Sequence, residues 1–406
     1  MPSQPGRIRT SHAGSLPRPE DVIELNHQRA DGSLTDEAGY QRTLKAAVAN
    51  VVARQQETGI DLVNDGEYGH SMGFRYEFGP WWTYVFERLG GLEMAAPSQL
   101  KPPPGPAEPG AVVLSPFPER RDWVEFSDAY GDPDSGVALP NRDFSTPVPV
   151  CRGPITYQGG EALRGTIANF KAALGDAGLT EGFLNAVAPA SCARFANEYY
   201  GSDEELLFAC ADAMREEYQA IIDAGLILQL DDPAIAENWD QINPAPTVEA
   251  YQRFTMVRVE ALNHAIRGLP VERIRFHLCW GSWHGPHVSD LPMADIIGIL
   301  LSINASAYSF EAANARHEHE WKVWQDAELP EGKVILPGVV SHSTNVVEHP
   351  ELVADRIVRY AEIVGRDNVI ASTDCGLGGR VHPQIAWAKL GTLTRGAELA
   401  SRRLWR

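Results

Sequence analysis

"RIRFHLCWG" (273–281) reads as a buried β-strand with chemistry at its end: a short run of apolar residues carries Arg275 and His277 and stops at Gly281. Along a strand, residues two apart point to the same side, so His277 and Cys279 face one point. Seven other runs have this character and end at polar or Gly/Pro signals. They are "IRTSHAGS" (8–15), "GIDLVNDGE" (59–67), "PVPVCRGPIT" (147–156), "GLILQLDDP" (225–233), "SAYSFEAAN" (306–314), "KVILPGVVSH" (333–342) and "NVIASTDCG" (368–376). Between them lie stretches with apolar residues at helical spacing, such as 203–225 and 350–365.

Eight alternations of strand and helix predict an α/β fold, the (β/α)8 TIM barrel, whose catalytic groups stand at the carboxyl ends of the strands. The polar residues are placed accordingly. Ser15, Glu67, Asp231, His277, Cys279, Glu311, His342 and Cys375 all fall at or near the end of a run. Residues 70–146 break the rhythm with "GPWWTYVFERLGG", "KPPPGPAEPG" and "YGDPDSG", more Pro and Gly than a helical crossover needs. The expectation is one domain over 1–406, with an insertion at 70–146 between strands two and three. That insertion would serve as a lid, as an interface between copies in a homo-oligomer, or merely as a decorated loop.

Lys and Arg number 35 against 54 Asp and Glu, a net charge of −19. A field of that sign repels nucleic acid and anionic membrane surfaces, which leaves small molecules as partners. The first residues lack the apolar core of a signal peptide and no 18-residue apolar run occurs, so a cytoplasmic location is expected. Five cysteines, odd in number and widely spaced, argue against a disulfide framework and leave thiols for metal or chemistry.

A cysteine in a strand is commonly a small buried hydrophobe, so "HLC" by itself carries little. Later strand ends add to it: "SFEAAN" supplies Glu311, and "STDCG" supplies Cys375 beside Asp374. In a barrel these ends surround one axis. Two thiolates, an imidazole and a carboxylate suit tetrahedral zinc, whereas thiolates disfavour magnesium and calcium. The competing "ARHEHEW" places His317 and His319 on opposite sides of a helix, which reads as a solvated charged face. His284 and His287 in "WGSWHGPH" follow the proposed metal strand, where they would support the site or face substrate.

Taken in order, "SHAGSLPR", "NDGE", "RGPIT", "LQLDDPA", "HLCWG", "YSFEAAN", "PGVVSH" and "STDCGLG" resemble the catalytic half of the cobalamin-independent methionine synthase family, over nearly the whole chain apart from the insertion. The resemblance implies that His277, Cys279, Glu311 and Cys375 are zinc ligands, and that Ser15, Glu67 and Asp231 hold the amino and carboxylate groups of homocysteine. It also implies that His342 is the acid beside the transferred methyl group. The implied activity is that of a zinc-dependent S-methyltransferase, moving a methyl group from a methylfolate or another donor to homocysteine to give methionine.

The chain departs from the family in two respects. It is shorter than the two-barrel enzymes, and "YQGGEAL" lacks the tryptophan on which a pterin would stack, a place that Tyr157, Trp81 or Trp82 would have to fill. Two alternatives follow. In an epoxyalkane:coenzyme M transferase-like enzyme the sulfonate would need a cation such as Arg18, Arg75 or Arg380. The other alternative is a non-catalytic zinc-binding barrel. The presence of both Glu67 and Asp231 favours an amino-acid thiol.

Overall fold

The computed structural model describes residues 6–70, 80–100, 112–137 and 148–406. Ten strands occur among them: β1 (Arg9–Thr10), β2 (Leu89–Ala95), β3 (Val148–Tyr157), β4 (Phe183–Val187), β5 (Ala196–Asn197), β6 (Ile227–Asp231), β7 (Ile274–Leu278), β8 (Ala307–Phe310), β9 (Val334–Val340) and β10 (Ile370–Thr373). Seven form one parallel sheet in the order β1-β10-β9-β8-β7-β6-β4. Parallel neighbours require crossovers, and helices supply them. The helix Asp203–Asp223 begins where Ser202 accepts the Glu205 N–H at 3.1 Å and three acids in the first turn complement the helix dipole. Its buried face carries Leu206, Cys210, Met214 and Ile221. The helix Pro350–Val364 starts on a proline, buries Val353, Ile357 and Ala361, and stops at Gly365.

β1 and β4 end the sheet, and residues 61–63 lie between them. Leu62 donates its N–H to the Thr10 carbonyl at 3.0 Å, Phe183 donates to the Val63 carbonyl at 3.0 Å, and Val63 bridges Gly182 in parallel. The sheet therefore curls back on itself. Leu62, Phe183, Ile227, Ala307, Val334, Leu336 and Ile370 pack together inside the curl, most of them at strand starts. This end is closed with apolar side chains, and the carboxyl ends are left to polar ones.

The predicted third strand is corrected. Residues 148–157 do form a strand, but in a separate three-stranded sheet, β2-β3-β5, and β4 takes the place in the parallel sheet. β3 is buried at Pro149, Val150, Cys151 and Ile155 and open to solvent in part or in full at its other six residues, whereas β4, covered on both faces, is a short run buried at four of its five. The excursion from the main sheet thus runs from residue 64 to β4, beyond the 70–146 expected. Parts of it, 71–79, 101–111 and 138–147, lie outside the described residues.

Candidate active site at the carboxyl ends of the strands

All eight site candidates gather at the carboxyl end of the curled sheet. Register does much of this. Asp231, His277 and Ser309 are side-by-side partners on β6, β7 and β8, so the three side chains form a row. The Ser309 hydroxyl lies 3.0 Å from His277 Nδ1, which turns Nε2 outward. That Nε2 is buried and has no hydrogen-bond partner among the described residues. Cys279 Sγ and Cys375 Sγ are 3.8 Å apart, and the ligand atoms of His277, Cys279 and Cys375 all lie within 4.8 Å of one another.

The two sulfurs are within hydrogen-bonding distance of each other. Contact with Cys279, helped by the nearby His277 imidazole, holds the Cys375 thiol well below its usual pKa, while contact with Cys375 and burial drive Cys279 well above. A buried imidazole nitrogen with no hydrogen-bond partner among the described residues, facing two cysteine sulfurs, is a donor set for a soft or borderline metal ion. Such a buried atom would otherwise cost the fold the free energy of an unmade hydrogen bond.

Glu311 stands slightly apart, within 4.8 Å of His342 and Asp374 in a second cluster. Its Oε1 accepts the Trp280 N–H at 3.0 Å and its Oε2 accepts Asn314 Nδ2 at 2.7 Å. Asp374 is occupied by the turn itself, accepting the N–H groups of Ala312 and Ala313 at 2.7 Å each. Asp374 thus braces the turn that carries Glu311. His342 is buried with Nδ1 unpartnered, and burial pushes its pKa down to about 3, so the imidazole is neutral at physiological pH.

The opposite wall is acidic. Glu67 and Asp231 both have raised pKa values, Glu67 through burial and the Asp231 charge, and Asp231, up to about 6, chiefly through burial. Two neighbouring carboxylates held against their own repulsion are a seat for a cationic group. Asn185 Nδ2 and Gln229 Nε2 donate to Asp231 at 2.8 and 2.7 Å, and Arg275 fixes Gln229 by donating to its Oε1 at 2.6 Å. Gly14 makes the approach feasible, since a Cβ there would sit 2.3 Å from Asn185 Nδ2 and 2.4 Å from Glu67 Oε1. Glu67 itself has φ 60°, a left-handed backbone that is costly for a residue with a side chain. The Ser15 carbonyl accepts the N–H groups of Leu377 and Gly378, joining this wall to the Cys375 turn.

The pattern of the family described as cobalamin-independent synthase, catalytic domain, matches residues 183–398, from β4 into the last helix. The chain belongs to this cobalamin-independent synthase family. Among curated relatives of this synthase-family chain, the methionine synthase of Thermococcus kodakarensis is 26% identical, over 98% of this chain and 94% of the relative. The 5-methyltetrahydropteroyltriglutamate–homocysteine methyltransferase of Nitratidesulfovibrio vulgaris is 26% identical over 97% of this chain and 42% of that protein. Among solved structures, a B12-independent methionine synthase from Shewanella, in complex with selenomethionine, superposes with a TM-score of 0.66 at 21% identity, covering 98% and 99% of the two chains. The likeness to that structure shows the fold.

Sequence reasoning missed several residues of this site. Asn185 went unseen because β4 did, although a lone polar residue in an apolar strand marks it as it marks His277. Ser309, Asn314 and Gln229 orient other residues, and no pattern of spacing announces that role. Arg380 donates to Ser282 Oγ at 3.1 Å; burial lowers its pKa against the opposing charges of Cys375, Cys279, Glu67 and Glu311.

The solvated-face reading of "ARHEHEW" is corrected for His317. His319 is exposed, but His317 is buried, with Nδ1 2.9 Å from Glu320 Oε2, Nε2 3.0 Å from Asp290 Oδ2 and its ring 4.2 Å from Trp280. Burial opposes its charge, but those two acids outweigh burial and push its pKa up to about 10. The cause is local: residues 318–322 form a tight 3-10 turn, not the regular helix the reading assumed. Arg75 lies outside the described residues, as do the side chains of Trp81 and Trp82. The Tyr157 hydroxyl is committed to Glu217 at 2.5 Å.

Proposed function

We propose that this chain is a zinc-dependent methyltransferase that converts homocysteine to methionine, in the manner of the relatives named above. The observation that carries the proposal is the unpartnered His277 Nε2 set against two thiols 3.8 Å apart, across from the Glu67 and Asp231 pair. His277, Cys279 and Cys375 fit zinc by donor type and convergence, and Glu311 would complete the set by leaving Trp280 and Asn314. When bound there, zinc supplies chemistry that keeps a substrate thiol deprotonated at neutral pH.

The remaining work falls to the chain's own residues. Glu67 and Asp231 receive the substrate ammonium, and the turn joining Ser15 to Leu377 and Gly378 receives its carboxylate. His342 stands beside the Glu311 carboxylate, where it relays the proton lost by the substrate thiol to the leaving group of the methyl donor. The imidazole is neutral before reaction, so the proton it passes to the leaving group is the one given up by the substrate thiol, and the overall transfer needs no external acid. We read the fold as a (β/α)8 barrel with residues 61–63 as the second of its eight members, and residues 70–146 as part of an excursion bounding the site. The five free cysteines accord with a cytoplasmic location, and no helix among the described residues is long and apolar enough to cross a membrane.

A second reading, alkylation of coenzyme M, draws support from Arg380 near the thiols, where a sulfonate could be met. Zinc-edge X-ray absorption separates the two. Adding homocysteine should raise the sulfur coordination by one ligand; a rise with coenzyme M alone would favour the second reading. No change with either thiol would overturn both.

A further inference from the structure

The loop after β7 is gripped from outside by two short helices, Arg121–Glu125 and Ser127–Gly131, that belong to neither sheet. Asp122 is buried, and its carboxylate caps the turn at residues 287 and 288. Oδ1 accepts the Val288 N–H at 3.0 Å, while Oδ2 accepts the His287 N–H at 3.3 Å and the Tyr130 hydroxyl at 2.7 Å. Tyr130 in turn accepts the Trp283 indole N–H at 2.9 Å. Trp283 is held further by the Arg120 guanidinium, 4.6 Å from its ring. His287 has φ 55° and Ser282 φ 48°, two non-glycine residues in left-handed backbone within one loop. Such conformations persist only where surrounding contacts over-determine them.

The grip is anchored. Arg120 forms ion pairs with Glu237 at 2.6 Å and Asp240 at 3.1 Å, and the Asp122 N–H donates to Asp240 at 3.0 Å, both acids lying on the helix Ala234–Gln241 that follows β6. The same loop meets the site on its inner face. Ser282 accepts Arg380, and His284 Nε2 lies 3.3 Å from the His342 carbonyl. An outward shift of the turn at 287 and 288 therefore disturbs the loop that touches the His342 backbone.

We propose that Asp122 is a positioning residue for the methyl-donor side of the site, acting through the 282–288 loop. This inference rests on the methyltransferase reading above, in which His342 faces the donor.

The test compares wild type, Asp122→Ala, Asp122→Asn and Tyr130→Phe, each zinc-loaded, by hydrogen exchange of the 282–289 backbone and by kinetics with homocysteine and 5-methyltetrahydropteroyltriglutamate. In Asp122→Ala, which removes both backbone hydrogen bonds to the loop, exchange over 282–289 should rise and the KM for the donor should increase, each by at least about tenfold. Exchange of β7, zinc content and the KM for homocysteine should stay at wild-type values. Asp122→Asn keeps an oxygen for the Val288 N–H and should fall between the two. Tyr130→Phe, which leaves both backbone bonds to Asp122, should show the smallest change. Unchanged exchange, or a uniform loss affecting both substrates and zinc, would overturn the proposal. If wild type does not turn over this donor, the folate is not the methyl source and the exchange result decides the grip of Asp122 on its own, while the methyltransferase reading stands or falls by the zinc-edge measurement with homocysteine.

Discussion

Substituting Ser309→Ala tests the metal assignment without touching a ligand. Ser309 is fully buried, and its hydroxyl is 3.0 Å from His277 Nδ1. For Nε2 to bind a metal, Nδ1 must carry the ring proton, and Ser309 is the acceptor that fixes this tautomer and the ring plane. Removing the hydroxyl leaves a buried N–H unsatisfied, at about 1–3 kcal/mol. Loss of such an orienting partner typically weakens metal binding about 10–100-fold, or roughly 1.4–2.7 kcal/mol, so the two estimates agree. The zinc dissociation constant of Ser309→Ala, measured by competition with a chromogenic chelator at fixed pH, should therefore rise about 10–100-fold. Nitrogen and sulfur coordination of the zinc that remains should be unchanged. A dissociation constant within about twofold of wild type, well below the smallest effect expected, would refute the role of Ser309 and with it coordination through His277 Nε2.

Other outcomes follow from the same geometry. Limited alkylation of metal-free native protein should modify Cys375 first, since its thiol is held well below its usual pKa, while Cys192 and Cys210, buried and driven upward, stay unmodified; mass mapping reads this directly. Homocysteine binding should weaken as pH falls through about 6, because protonating Asp231 removes a charge from the ammonium seat; an Asp231→Asn variant should lose that dependence. His342→Ala should keep its zinc and lose about 10²–10⁴-fold in kcat, the range for a proton-transfer group, and an unchanged kcat would remove His342 from the chemistry.

The parts of this protein that were legible in its sequence share one cause. Strand ends in a parallel sheet put polar residues at positions fixed by the pattern itself, so His277, Cys279, Asp231 and Cys375 were visible as polar interruptions after apolar runs. The same logic failed where two kinds of strand look alike: the long, partly exposed β3 displaced the five-residue β4, and Asn185 was lost with it. Orientation was harder still. That Ser309 faces His277 depends on inter-strand register, and that His317 folds inward depends on a 3-10 turn and on Asp290 in another loop. Glu311 was placed at the right end of the right strand, but its bonds to Trp280 and Asn314 are a matter of side-chain geometry alone.

The seam at residues 61–63 bears on the order in which the protein assembles. From β4 to β10 the parallel wall grows by pairing strands in the order the chain delivers them, apart from β5, so each closure spans a modest loop. Joining β1 to that wall is different in kind: the Ala13 N–H reaches Thr373 Oγ1 across 360 residues. Such distant contacts are entropically the most expensive to nucleate and tend to form late. All four proposed metal ligands belong to the wall, while Ser15 and Glu67 arrive with the segments that close it. The metal pocket can thus be complete in a chain still open along one side, and an intact seat for the amino acid reports that closure has finished.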